Sequence, residues 1–210
     1  TICSGAQLGF TPTSNVAGAV FSWTSVVSAN ITGNTSTTGT TIDDLLINTG
    51  NDIETVTYTL TVTGPGPQFC TSAATFVYTV TVDPAVTQTI TNNAPVVCEN
   101  VVNAVDIDYL TVTENGSISV QAVYGAVTGG AYGGLTVLGA TGTVNETLSN
   151  PTAAPITVVY TFTGSANSCP DAVTVVNVVV NPAPIITNLP AAVTICSGAQ
   201  LGFTPTSNVA

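Results

Sequence analysis

Along much of this chain apolar and polar residues alternate with a period of two. In Thr55-Val56-Thr57-Tyr58-Thr59-Leu60-Thr61-Val62-Thr63 every even position is apolar or aromatic and every odd one is Thr, which predicts a strand with one packed face and one wet face. After the turn residues Gly64-Pro65-Gly66-Pro67 the alternation resumes at Phe76, Tyr78, Val80 and Val82. It returns at Val158, Tyr160 and Phe162, then at Val176, Val178 and Val180. Further strands are predicted near 7–11, 18–25, 40–47, 101–112, 117–124, 134–139 and 142–148. A helical turn over 42–47 is the one alternative to strand, and it is not expected. Thr (39) and Val (31) make up one third of the 210 residues, and both are stiff at Cβ in the way that suits a pleated surface. The fold class expected is all-β, built as sandwiches, because short strands at close spacing with Gly and Asn turns are their signature.

The chain repeats itself. Residues 1–17, TICSGAQLGFTPTSNVA, recur unchanged at 194–210, so the period is 193 residues and the sequence reads as one full period of a tandem array plus the start of the next copy. Inside the period is a weaker repeat. The stretch from Val82-Asp83-Pro84 to Cys98 matches that from Val180-Asn181-Pro182 to Cys196 at an offset of 98, and Ile42 to Asn48 with Tyr58 matches Val144 to Asn150 with Tyr160 at an offset of 102. Two homologous sandwiches are therefore expected, at 1–83 and 84–181, with 182–210 supplying the first strands of the next copy. Pro84, Pro95, Pro182, Pro184 and Pro190 mark the connectors. The segment equivalent to 182–193 is expected as the first strand of a domain and does not precede Thr1. Residues 182–210 are thus expected to pack on a following copy or to complete the open edge of a neighbouring chain by strand addition.

Charge narrows the chemistry. There are 11 Asp plus Glu and no Lys, Arg or His, a net charge of -11. Binding to nucleic acid or to an anionic membrane lacks its usual cations, and no apolar run approaches the ~20 residues of a spanning helix. General-base His, Schiff-base Lys and phosphate-clamping Arg are all missing. The expectation is no enzyme, no catalytic residue, no cofactor, no metal, no nucleic acid and no membrane insertion. The carboxylates only repel one another, Lys–Asn isopeptide crosslinks are impossible, and trypsin-like proteases find no site.

Five cysteines remain: Cys3, Cys70, Cys98, Cys169 and Cys196, of which Cys3 and Cys196 are one position in successive copies. In each domain the first Cys precedes the core strands and the second lies in the turn before the last strand. That predicts Cys3 with Cys70 and Cys98 with Cys169, each loop of about 70 residues contributing roughly 4 kcal/mol in the chain-entropy account, and Cys196 paired in the next copy. Disulfides imply an oxidising compartment and hence export.

The phrases Ile2-Cys3-Ser4-Gly5, Phe10-Thr11-Pro12-Thr13-Ser14, Phe21-Ser22-Trp23-Thr24, Leu46-Ile47-Asn48 and Tyr78 to Pro84 resemble the PKD-like domains that occur in tandem in giant secreted surface proteins of gliding bacteria. The second half keeps Leu148-Ser149-Asn150 and Val180-Asn181-Pro182. It departs at Cys98-Glu99-Asn100, and at Tyr124 with the run Gly129 to Gly134 in place of the Trp phrase. The resemblance implies immunoglobulin-like sandwiches serving as a stalk or adhesive repeat at the cell surface, exported by type IX secretion.

Candidate chemistry is sparse. Trp23 is expected in the core, as are Tyr58, Tyr78 and Tyr160, with sugar stacking the functional alternative for Trp23. Asp43-Asp44, Asp52 with Glu54, and Asp106 with Asp108 have the i, i+2 placement to share a face for Ca²⁺ but no calcium-loop spacing, and are read as solvated charge. Asn30, Asn34, Asn115 and Asn145 begin N-x-Ser/Thr sequons that so Thr-rich a chain produces by chance. The leading expectation is a structural spacer whose partners are neighbouring copies, head to tail. The alternative is a module whose loop 125–142 binds a glycan or protein, in which case an aromatic pocket should open beside Tyr124 and Tyr132.

Overall fold

The long alternating segments form the central strands of two β-sandwich units in the computed structural model, which describes residues 1–67 and 69–209. The first unit comprises Thr1–Thr87 with the short segments Thr111–Gly116 and Ser165–Ala172. Its strands are β1 (Ile2–Cys3), β2 (Ala6–Gln7), β3 (Val20–Val27), β4 (Ile31–Thr32), β5 (Thr37–Gly39), β6 (Leu45–Asn48), β7 (Glu54–Thr63) and β8 (Phe76–Asp83). One sheet runs β1-β8-β7-β3-β5 and the other β2-β6-β4. In β7 the even residues Val56, Tyr58 and Leu60 are buried, as the alternation requires, and they close a core with Trp23, Ile42 and Leu46.

The second unit, Gln88–Leu110, Ser117–Gly164 and Val173–Ala210, repeats this plan with one strand added and the counterpart of β4 reduced to the bridge between Thr128 and Ser149. Its strands are β9 (Thr89–Asn92), β10 (Val96–Cys98), β11 (Val105–Leu110), β12 (Ser117–Val123), β13 (Thr136–Gly139), β14 (Thr141–Glu146), β15 (Ile156–Ser165) and β16 (Ala172–Asn181). The sheets are β10-β16-β15-β12-β13 and β14-β11-β9. Strand for strand, β10 copies β1, since each pairs in parallel with the last strand and in the same register. Cys3 lies opposite Asp83, and Cys98 opposite Asn181. The added strand is β9, on the free side of β11. No helix occurs among the described residues, so segment 42–47 is extended, with Ile42 bridged to Phe10.

The last segment, 183–209, lies mostly exposed and forms a single bridge, Ile186 with Ser207. Ala210, the end of the third expected segment, lies outside the described residues.

The cysteine pairing differs from the expected one. Cys3 is bonded to Cys169, with their Cα atoms 5.6 Å apart, while Cys70, Cys98 and Cys196 are free and exposed. Position along the chain located the half-cystines on the right structural features, a first-strand edge and a β-turn. The partner of Cys3, however, is the turn cysteine 166 residues away rather than Cys70, because the Ser165–Ala172 turn is carried in the first unit.

Candidate functional site

Three features bear on function: a buried carboxylate in each unit, the surface acids, and an open apolar groove. In the first unit Ile42, Asp44, Leu46 and Asn48 occupy alternate positions and all four are buried. The solvated reading of Asp44 is thereby corrected. Its Oδ2 accepts from the Tyr58 hydroxyl at 2.6 Å and from the Thr35 amide at 2.8 Å, and its Oδ1 accepts from Thr35 Oγ1 at 2.7 Å. Burial, followed by the hydrogen bond to Asp44, pushes the Tyr58 phenol above its ordinary pKa.

The second unit places Glu146 where Asp44 stands. Tyr160 donates a short hydrogen bond to Glu146 Oε2, while Tyr124 OH at 2.6 Å and the Ala131 amide at 2.5 Å donate to Oε1. Burial first, then the Glu146 contact, raises the phenols of both Tyr160 and Tyr124. Tyr124 meets Tyr160 edge-on at 6.2 Å, and both Tyr124 and Tyr132 pack on the core. Their rings therefore serve the interior of the unit rather than a pocket wall. Neither carboxylate can work as an acid or base on a ligand, since each is buried and fully engaged by donors.

Gly33 and Gly129 fix the loops that deliver these donors. Both have φ near 90°, and a Cβ would lie 2.0 Å from Leu45 O in one case and 2.6 Å from Thr147 O in the other.

Of the remaining acids, Asp106 and Asp108 share one donor. Asn93 Nδ2 donates to Asp108 at 2.8 Å and to Asp106 at 3.4 Å, and Thr143 Oγ1 donates to Asp108 at 2.6 Å. These bonds, Thr143 first, hold the Asp108 carboxyl below the usual range. Glu54 accepts from Ser28 and Asn30, and Asp43 from Gln7. Among the described residues no group of three His, Cys, Asp or Glu is placed to hold a metal ion. Three sequon residues are engaged by their own surroundings, Asn30 with Glu54, Asn34 with Ser25 and Asn115 with Asn167.

Of the aromatic residues singled out, Trp23, Tyr58 and Tyr160 are buried. The Trp23 ring lies under Gly39, where a Cβ would approach it to 3.2 Å, and its indole N–H has no acceptor. Tyr78 is only partly buried and stacks on Phe10 with ring centroids 4.1 Å apart. That pair marks a groove of about 520 Å³ in the first unit, walled by Phe10, Pro12, Phe21, Leu60, Phe76 and Tyr78. The alternation of apolar and polar residues did not point to it.

Residues 1–86 match the family described as PKD-like domain. That match spans the first unit's sheets and leaves the second, which kept fewer of the motif phrases, outside it. None of the curated proteins matches this chain. Among solved structures, mouse cadherin-23 EC22-24 is similar at 12% identity with a TM-score of 0.44, over 87% of this chain and 62% of that one. The chain thus spans less than two thirds of that structure's length. The fold is an all-β, immunoglobulin-like sandwich repeated within one chain.

Proposed function

We propose that this chain is a stalk or spacer repeat of a large extracellular adhesin or surface filament. The observation that carries the reading is the unchanged recurrence of residues 1–17 at 194–210, joined to two units whose five-stranded sheets share one strand order. Tandem copies of a sandwich supply length, and adhesion by such an array comes from many weak contacts in parallel. The PKD-like match at 1–86 and the Cys3–Cys169 disulfide support placement outside the cell, at the surface, since persistent disulfides belong to oxidising compartments. Membership of a gliding-bacterium surface fibre exported by type IX secretion is the finer form of the same reading. The absence of Lys, Arg and His and the full engagement of both buried carboxylates favour a module without catalysis.

Electron microscopy of the native cell surface tests this. Two sandwiches whose strands each rise about 33 Å, with loops, give a beaded fibre of roughly 80 Å per period. Globular particles with no axial repeat would overturn it. The second reading, a glycan-binding module, draws on the aromatic walls of the groove. It requires that soluble oligosaccharides perturb Phe10 and Tyr78, which chemical-shift mapping would register.

A further inference from the structure

In the second unit, strand β9 lies along β11 with Ile90 opposite Tyr109. Just ahead of it Gln88 reaches the Phe162 carbonyl at 3.3 Å and Thr174 Oγ1 at 2.9 Å. The internal repeat maps these neighbours onto the first unit. Tyr109 corresponds to Pro12, because Ile107 opposite Val144 matches Phe10 opposite Ile42. At the offsets of 102 and 98, Phe162 corresponds to Leu60 and Thr174 to Phe76. Pro12, Leu60 and Phe76 are walls of the groove. The groove in the first unit is the place that β9 fills in the second.

The C-terminal segment shows what fits there. Residues 204–208 are the second copy of Thr11 to Asn15, and the chain lays 185–188 against them. Ile186 bridges Ser207, Thr187 N donates to Thr206 O at 2.9 Å, and Asn208 N donates to Ile185 O at 3.2 Å. Pro205 has no N–H to offer a partner strand. The Asn188 side chain bridges that gap: its Nδ2 donates to Thr204 O and its Oδ1 accepts from Thr206 N, both at 2.8 Å. Asn188 thus stands opposite Pro205 as Ile90 stands opposite Tyr109, in agreement with the 98-residue offset. Ile185, Ile186 and Leu189 are meanwhile half or more exposed.

We propose that the groove of the first unit receives the segment 185–190 of a second copy of this chain as an added edge strand. Asn188 then spans Pro12 through Thr11 O and Thr13 N, and the apolar residues of the segment cover Phe10, Phe76 and Tyr78. The inference rests on the tandem relation between copies and on no particular ligand or cell-surface role.

A synthetic peptide covering 182–193, added to the full chain, tests it by amide hydrogen exchange. Exchange of the Thr13 and Asn15 amides, the counterparts of Thr206 and Asn208, should slow roughly tenfold or more, and the same peptide carrying Asn188→Ala should bind at least tenfold more weakly. A chain variant Phe76→Ser, at a position already 54% exposed, should lose the peptide while keeping its own protection pattern. No slowing at Thr13 and Asn15, slowing confined to 204–208, or equal effects from a scrambled peptide would overturn the proposal. A missing 80 Å repeat on cells would leave this result untouched.

The disulfide carries a second inference independently. Cys98 holds in β10 the place that Cys3 holds in β1, and Cys70 lies in the β7–β8 turn as Cys169 lies in the β15–β16 turn. Cys3 and Cys169 are bonded, whereas Cys98 and Cys70 are exposed thiols. By this equivalence, we infer that Cys98 of one copy bonds to Cys70 of the next. Two thiols and one small-molecule disulfide, such as oxidised glutathione, yield the protein disulfide and two reduced thiols, so the two electrons and two protons pass to the oxidant. The test uses a chain of two consecutive copies. A variant keeping only Cys98 of the first copy and Cys70 of the second, with Cys70→Ser and Cys98→Ser at the remaining two places, should lose both thiols on oxidation. A variant keeping Cys70 and Cys98 of the first copy alone should retain both thiols in its monomeric fraction. The reverse pattern, or two free thiols in each variant, would overturn the pairing.

Discussion

The two units perform one set of structural tasks with different side chains. At the start of each, a residue after the half-cystine ties the first edge to the Leu-x-Asn corner. In the first unit Ser4 Oγ accepts from Asn48 N at 3.0 Å; in the second Glu99 accepts from Asn150 N at 3.0 Å and also from Ala183 N at 2.6 Å. The next residue takes a left-handed conformation in both, Gly5 with φ 82° and Asn100 with φ 59°, Asn being the side chain that tolerates it best. Each then donates its N–H to the carbonyl of the corner leucine, Leu46 or Leu148. Cys-Ser-Gly and Cys-Glu-Asn are therefore two spellings of one backbone. The buried carboxylates teach the same lesson. Asp44 takes two of its donors from Thr35, whereas the longer Glu146 takes two from the phenols Tyr124 and Tyr160.

That difference sets the largest expected effect. Glu146→Ala strands the two phenols Tyr124 and Tyr160 and should cost about 4 kcal/mol, whereas Asp44→Ala strands the one phenol Tyr58, its Thr35 partner being exposed and able to turn to water, and should cost about 2 kcal/mol. Residue-resolved hydrogen exchange separates the units, and equal losses would show that the donor sets are equivalent.

Next come the corner asparagines. Asn48 Nδ2 donates to Asp52 O and Val82 O, and Asn150 Nδ2 donates to Ala154 O and Val180 O. Alanine at either position should cost about 2 kcal/mol, and the two losses should agree, because here the units share one solution. Denaturant titration monitored separately in each unit checks this. Alkali gives a further contrast. Tyr58, Tyr124 and Tyr160 keep their protons in the fold beyond the ordinary phenol range. Above about pH 10 the unfolded chain releases these protons while the folded chain holds them, so stability falls as pH rises. The fall should be steeper for the second unit, where burial raises the three phenols Tyr124, Tyr132 and Tyr160, and Tyr124→Phe should reduce that excess in an ultraviolet phenolate titration. The smallest effect is expected for Gly5→Asn, at most about 0.5 kcal/mol by thermal melting, since Asn100 already performs that turn.

Much of the architecture was legible in the sequence. The Thr alternation of 55–63 and the paired Leu46-Ile47-Asn48 and Leu148-Ser149-Asn150 phrases located the central strands and the corners. The burial of Asp44 was also written there, in the unbroken period of two from Ile42 through Asn48, but an acidic pair reads first as surface when its donors lie nine and fourteen residues away. Tyr124 and Tyr132 looked like pocket walls because their Gly-rich neighbourhood reads as a loop. What turns Tyr124 inward is Glu146, the Tyr124 hydroxyl in turn accepting from the Tyr132 amide, and a carboxylate one methylene longer than Asp44 has no signature in periodicity. The partner of Cys3 was not legible at all, since four cysteine positions per period allow three pairings and strand patterns do not choose among them.

The donors that hold Asp44 and Glu146 are phenols, a hydroxyl and backbone amides, none of them cationic. Dissolved ions weaken attraction between opposite charges, but here there is no such attraction to weaken, and the only long-range force they damp is the mutual repulsion of the acids. A module built this way keeps its interior fastenings from fresh water to brine and should, if anything, stand firmer as salinity rises.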